Sequence, residues 1–132
     1  MREALRRELE NEPDVLYALV FGSAARGALR VDSDVDVAVE LAPNADRTAR
    51  AIGRLVSRLE SAAARTVDLV LLEEAPVPLA YRIFRDGDVL LERDHRALVA
   101  RKARVIIRYL DWKPVEDRCV AGVLRAAANR GR

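Results

Sequence analysis

The run Asp34-Val35-Asp36-Val37-Ala38-Val39 constrains this chain more than any other stretch. Its strict alternation is that of an extended strand, where successive side chains point to opposite faces. Asp34 and Asp36 then share one face, roughly 6.5–7 Å apart, while Val35, Val37 and Val39 point into a core. Two carboxylates side by side on a β-branched strand repel each other and lose hydration. A hard divalent cation cancels that cost, and Mg²⁺ prefers one or two carboxylates completed by substrate phosphates. The strand therefore calls for a metal, and the metal for a phosphate.

A second stretch supplies the phosphate side. Val15 to Phe21 is a nearly continuous apolar run with the length of a buried strand, and it ends on Gly22-Ser23. Gly22 lets the backbone approach a ligand closely. Ser23 is placed to cap a short helix, Ala24 to Leu29, whose free N–H groups would attract an anion. Arg26 lies in the same turn and adds a charged hydrogen-bond donor.

Gly22-Ser23, ten residues, and then Asp34-x-Asp36 resemble the signature of the DNA polymerase β-type nucleotidyltransferases. The local form, Phe21-Gly22-Ser23-Ala24-Ala25-Arg26-Gly27 followed by Ser33-Asp34-Val35-Asp36, is similar to the minimal nucleotidyltransferase (MNT) group. The resemblance is strongest over about residues 15–72.

The remaining pattern is that of one small α/β domain. Its 132 residues, half of them hydrophobic, suit a single core. A short helix over Met1 to Asn11 precedes the first strand. A longer helix over Ala45 to Ala64 carries Ile52, Leu55, Val56, Leu59 and Ala63 at helical spacing. Thr66 to Leu72 is a third strand, Leu79 to Arg85 a short helix, Asp86-Gly87-Asp88 a turn, and Val89 to Glu92 a fourth strand. Asp94 caps a helix to about Tyr109, and Pro114 opens a second one over Val115 to Ala128. The expected architecture is a small mixed sheet with packed helices and a C-terminal helical pair. It forms one domain over 1–132, with a catalytic core at about 15–92 and C-terminal helices at about 94–128. Much of the circumference of 105–110 is apolar, so this segment must be buried or covered by a partner.

Asp68 stands alone in the third strand. Such a charge either faces water from an edge strand or joins the Asp34/Asp36 pair as a third metal ligand. The acidic pattern favours the second reading, and the resemblance implies the same.

Other chemistries are excluded by residue type. One cysteine (Cys119) and one histidine (His95) rule out a disulfide framework and a Cys/His zinc site. His95 follows a helix cap and is expected at the surface, and Cys119 in a core or interface. Gly22 to Gly27 has P-loop glycine spacing, but Ala28 stands where the lysine should be. A calcium loop starting at Asp32 fails at Val37 and Pro43. With 23 basic against 21 acidic residues, scattered along the chain, no nucleic-acid footprint emerges. The charged N-terminus and the lack of a membrane-length apolar run give the expectation of a cytoplasmic protein.

The resemblance implies an activity. Asp34, Asp36 and Asp68 would hold Mg²⁺ and carry catalysis, Gly22, Ser23 and Arg26 would bind ATP, and Asp68 could accept the acceptor's proton. Many members of the MNT group are antitoxins paired with a HEPN-family RNase toxin, and members can attach AMP to a toxin tyrosine. Two alternatives stand beside that reading: an antitoxin that acts by complex formation alone, and a nucleotidyltransferase of a small-molecule hydroxyl.

Overall fold

The structure, a computed structural model, describes residues 1–27, 30 and 32–130. Eight elements follow in order: α1 (Arg2–Glu10), β1 (Val15–Phe21), β2 (Val35–Leu41), α2 (Ala49–Ala63), β3 (Val67–Leu71), α3 (Val77–Asp86), β4 (Asp88–Glu92) and α4 (His95–Arg130). The strands form one mixed sheet in the order β3-β2-β1-β4. β1 runs antiparallel to both β2 and β4, whereas β2 and β3 are parallel and joined through α2. A parallel pair needs such a long crossover, and α2 supplies it.

Alternation along the strands builds two cores, one on each face. Val35, Val37, Val39 and Val67 meet Leu5 and Leu9 of α1 and Leu55, Leu59 and Ala63 of α2. Tyr17, Leu19 and Ala38 meet Ala80, Ile83 and Phe84 of α3 and Val105 of α4. Each fully buried aliphatic side chain here contributes roughly 1.5–3 kcal/mol. The apolar stripe of α2 forms as its periodicity predicts. Thr48 caps that helix, its hydroxyl accepting from Ala51 N–H at 3.2 Å. Arg58 ties α2 to α1 by pairing with Glu8 at 3.0 Å and with Glu12.

Two expected local features differ. Residues 22–27 form consecutive turns, so Ser23 caps no helix there, and residues 28 and 29 of the expected short helix lie outside the described residues. The α/β class and mixed sheet are as expected, but the C-terminal pair is a single helix of 36 residues that runs through Pro114. Proline removes one backbone donor and crowds the preceding turn. Side-chain contacts on both sides carry the helix across. Tyr109 stacks on Tyr81 of α3 with centroids 3.7 Å apart, Trp112 leans on Tyr109, and Lys113 pairs with Asp117 at 3.0 Å.

The first turns of α4 are tied to the sheet. Asp94 caps it by accepting from Ala97 N–H at 3.0 Å. Arg101 donates to Glu40 of β2 at 2.6 Å, and Glu40 also accepts from the Tyr17 hydroxyl of β1 at 3.3 Å. Burial, reinforced by the neighbouring Glu40 carboxylate, pushes the Tyr17 phenol far above its usual range, so it remains a donor. Beyond Val105 no described residue of α4 is buried. His95 is exposed beside Glu92, as expected, whereas Cys119 is exposed rather than in the core.

Gly87 joins α3 to β4 where both press on the end of β1. A Cβ at this position would collide with the Ile83 carbonyl oxygen and crowd that of Val20, both backbone atoms with little room to move. Gly87→Ala is expected to destabilise the fold by about 1–3 kcal/mol, measured by urea or thermal unfolding.

Candidate active site

The end of β1 and the start of β2 lie side by side because the two strands are antiparallel. Phe21 pairs with Asp36, and Asp36 pairs in turn with Asp68 of β3. Register therefore sets Phe21, Asp36 and Asp68 in one row across three strands, with Gly22 one residue past the end of β1 and against Asp36. Asp36 is half-buried, and Asp34, one residue before β2, is exposed. Asp68 is exposed on an edge strand, where it faces water and stands beside Asp36.

Gly22 fits beside this row for two reasons. Its φ of +66° lies in the left-handed region that side chains disfavour, and a Cβ would overlap Asp36 Oδ2. The following turn is closed by Arg26 N–H donating to Gly22 O at 3.2 Å. Arg2 of α1 steadies it, donating to Ala24 O at 3.0 Å. Ser23 is half-buried in this turn and makes no side-chain hydrogen bond with a described residue.

The electrostatics centre on Asp36. Burial pushes its carboxyl above the ordinary carboxylate range, the charges of Asp68 and Asp34 push it further, and Arg26 pulls the other way. Among the described residues no three acidic, imidazole or thiol groups already enclose a cation position. An open set of adjacent carboxylates is nevertheless the donor chemistry that Mg²⁺ uses when water and phosphate complete its shell.

Beside the acids lies a cavity of about 210 Å³, lined by Phe21, Gly22 and Arg26 and, from α3, Leu79, Arg82 and Asp86. Arg82 and Asp86 are missing from the sequence-derived site. They stand four apart on α3 and so share a face, which is the one signal the sequence held. Arg85 pairs with Asp86 at 2.8 Å and holds its carboxyl below the ordinary range, with Arg26 and Arg82 contributing.

The family model described as polymerase beta, nucleotidyltransferase, matches residues 3–96. The chain belongs to this nucleotidyltransferase family. Solved structures extend the likeness beyond the matched span. A chain from a crystal structure of a toxin–antitoxin with AMP-PNP is 25% identical, covering 93% of this chain and 98% of that one at a TM-score of 0.78. A chain from the complex of tri-AMPylated Shewanella oneidensis HEPN toxin with MNT antitoxin shares the fold at 22% identity, 94% and 99% coverage and a TM-score of 0.71. A chain from a toxin–antitoxin MntA–HpeT mutant structure is 27% identical over 91% of this chain and 92% of that one, at a TM-score of 0.72. A search of curated proteins gives no match. The family match stops near the first turn of α4, so most of that helix lies outside the shared nucleotidyltransferase core.

Raised native affinity for a proton means that the folded state binds it more tightly than the unfolded chain does. The stabilising contribution of Asp36 is therefore complete below the ordinary carboxylate pKa of 3.8, and it is lost as pH rises through the higher native value. In chelator at neutral pH, Asp36→Asn is expected to melt at a higher temperature than the wild-type chain. The gap should close as pH falls, and added Mg²⁺ should narrow it by stabilising only the wild-type protein. Thermal unfolding across pH, with and without Mg²⁺, checks this.

Proposed function

We propose that this protein is a Mg²⁺-dependent antitoxin that transfers AMP from ATP to a tyrosine hydroxyl of a partner HEPN-family RNase toxin, so neutralising it. The observation that carries the reading is the in-register pair of Asp36 and Asp68, with Gly22 against the Asp36 carboxylate and the charges of Asp34 and Arg26 acting on it. Similar structures support the nucleotide and the partner: one is of a toxin–antitoxin with AMP-PNP, another of an AMPylated HEPN toxin with an MNT antitoxin.

Asp34, Asp36 and Asp68 hold the cation site. Bound Mg²⁺ would supply neutralisation of the triphosphate and lower the cost of ionising the acceptor hydroxyl. Gly22 N–H and the free Ser23 hydroxyl orient the β- and γ-phosphates, and Arg26 balances their charge. Asp68, the outermost acid, takes the proton of the tyrosine hydroxyl. The tyrosine oxygen forms a bond to the α-phosphorus while the bond from that phosphorus to the α,β-bridging oxygen breaks, and pyrophosphate leaves. Positioning and charge do the work, and no covalent enzyme intermediate is required.

The partner takes the exposed apolar residues of α4. Ile107, Leu110 and Leu124 fall within about 100° of one another around α4 and are each more than 60% exposed, an unusual density for a face in permanent contact with water. A protein surface is the cover that this reading assigns to the face. Such a complex would work in the cytoplasm, where ATP and the RNase's substrates are found.

The same α4 face would serve an antitoxin that acts by binding alone, and one experiment separates the two. The protein is incubated with its HEPN partner, Mg²⁺ and ATP labelled at the α-phosphate, and the intact masses of both chains are measured. AMP is expected on the partner, its formation slowed by at least about a hundredfold in the Asp34→Asn/Asp36→Asn variant and abolished by chelator. A stable complex that neutralises the toxin without any adduct would leave binding alone as the function. An adduct on neither chain, without a complex, would point to a small-molecule hydroxyl.

A further inference from the structure

The cavity beside Gly22 has a charge imbalance that the catalytic acids do not explain. Its wall carries two guanidinium groups, Arg26 from the turn and Arg82 from α3, and one acid, Asp86. Asp86 is already engaged by Arg85, which binds it through both Nε (3.0 Å) and Nη2 (2.8 Å). Arg82 makes no hydrogen bond or ion pair with any described residue, and neither does the Arg26 side chain. Two cations thus face one cavity whose single lining acid is hydrogen-bonded by a third arginine, Arg85.

The position of this pair is specific. Gly22 lies against the Asp36 carboxylate and also lines the cavity that Arg26 and Arg82 share. Asp34, Asp36 and Asp68 do not line that cavity, so the three acids and the two guanidiniums occupy adjoining places that meet at Gly22. A triphosphate matches that polarity: its α-phosphate belongs with a cation held by the acids, and its far end with the arginines. Arg82 is also held in place from behind. Its neighbour Tyr81 stacks on Tyr109 of α4 at 3.7 Å with the rings 3° from parallel. The adjoining cleft of about 300 Å³ is lined by Arg82, Tyr81, Tyr109 and Trp112. Tyr81 and Tyr109 lie face to face at van der Waals contact, which leaves no slot between them for a base. The stack instead fixes α3, and with it the base of the Arg82 side chain.

We propose that Arg82 binds the pyrophosphate end of the nucleotide, forming with Arg26 a clamp that holds the leaving group from a different element than the Gly22-Ser23 turn. This rests on the nucleotidyltransferase reading above. It adds a residue on α3 with a distinct duty: Arg82 recognises the diphosphate that departs and makes no contact with the AMP that is transferred.

The test uses the full chain with Mg²⁺ and a fluorescent ATP analogue, displaced in separate titrations by inorganic pyrophosphate and by AMP. Arg82→Ala is expected to weaken pyrophosphate competition by roughly tenfold or more and to leave AMP competition within about twofold. Arg82→Lys should recover part of the loss, because charge returns without the planar fork. The melting temperature of both variants should match the wild type, as for other exposed substitutions. Equal weakening of pyrophosphate and AMP, or no change in either, overturns the assignment. So does failure of pyrophosphate to displace the analogue from the wild-type chain, even with nucleotide binding intact. If the displacement pattern holds but no partner tyrosine is modified, the acceptor reading falls and the clamp stands.

Discussion

Crowded negative charge beside a missing side chain governs this molecule. Asp36 is half-buried between two other acids, and its carboxylate fills the space that a Cβ on Gly22 would need. Burial and both neighbours oppose its ionised form more than Arg26 favours it. The surrounding structure holds it there. β1 and β2 pair without a break from Tyr17–Glu40 to Phe21–Asp36, and the valines on the opposite face are locked beneath α1 and α2. Stability generated in the apolar core is thereby used to keep an unfavourable polar cluster in register.

That division of labour explains which parts were legible in the sequence. The limits of β1 followed from its continuous apolar run, which is buried on both faces, and the stripe of α2 from its periodicity, which burial of one face dictates. The adjacency of Gly22 and Asp36 was suggested by spacing, but a spacing cannot specify a register, and here the antiparallel pairing brings the two together. Asp68 was ambiguous for a physical reason. On an edge strand next to the acidic pair, facing water and flanking Asp36 are the same position.

What stayed hidden depended on packing between elements distant in sequence. Arg82 is unremarkable within Leu79-Ala80-Tyr81-Arg82-Ile83, and only the seating of α3 across β1 turns it toward Gly22. The continuity of α4 was hidden by a local rule that generally holds. Proline disfavours a helix interior, yet the Tyr81–Tyr109 stack on one side and the Lys113 ion pairs on the other outweigh the lost bond. The turn after Ser23 gives the reverse case: helix-compatible residues take turns, held by Ala24 in the core and by Arg2 on its carbonyl.

The unbroken α4 also has a mechanical meaning. Its first turns are moored to β1 and β2 through Arg101, Glu40 and Tyr17, while residues 113–130 extend for roughly 27 Å with no buried residue. A jointed pair of helices would let a docked body swing. A single stiff rod acts as a ruler, fixing the distance and bearing of whatever seats on it relative to the strand that bears Asp36. An acceptor group on that body would meet the site at a high effective concentration set by geometry rather than by its abundance in solution.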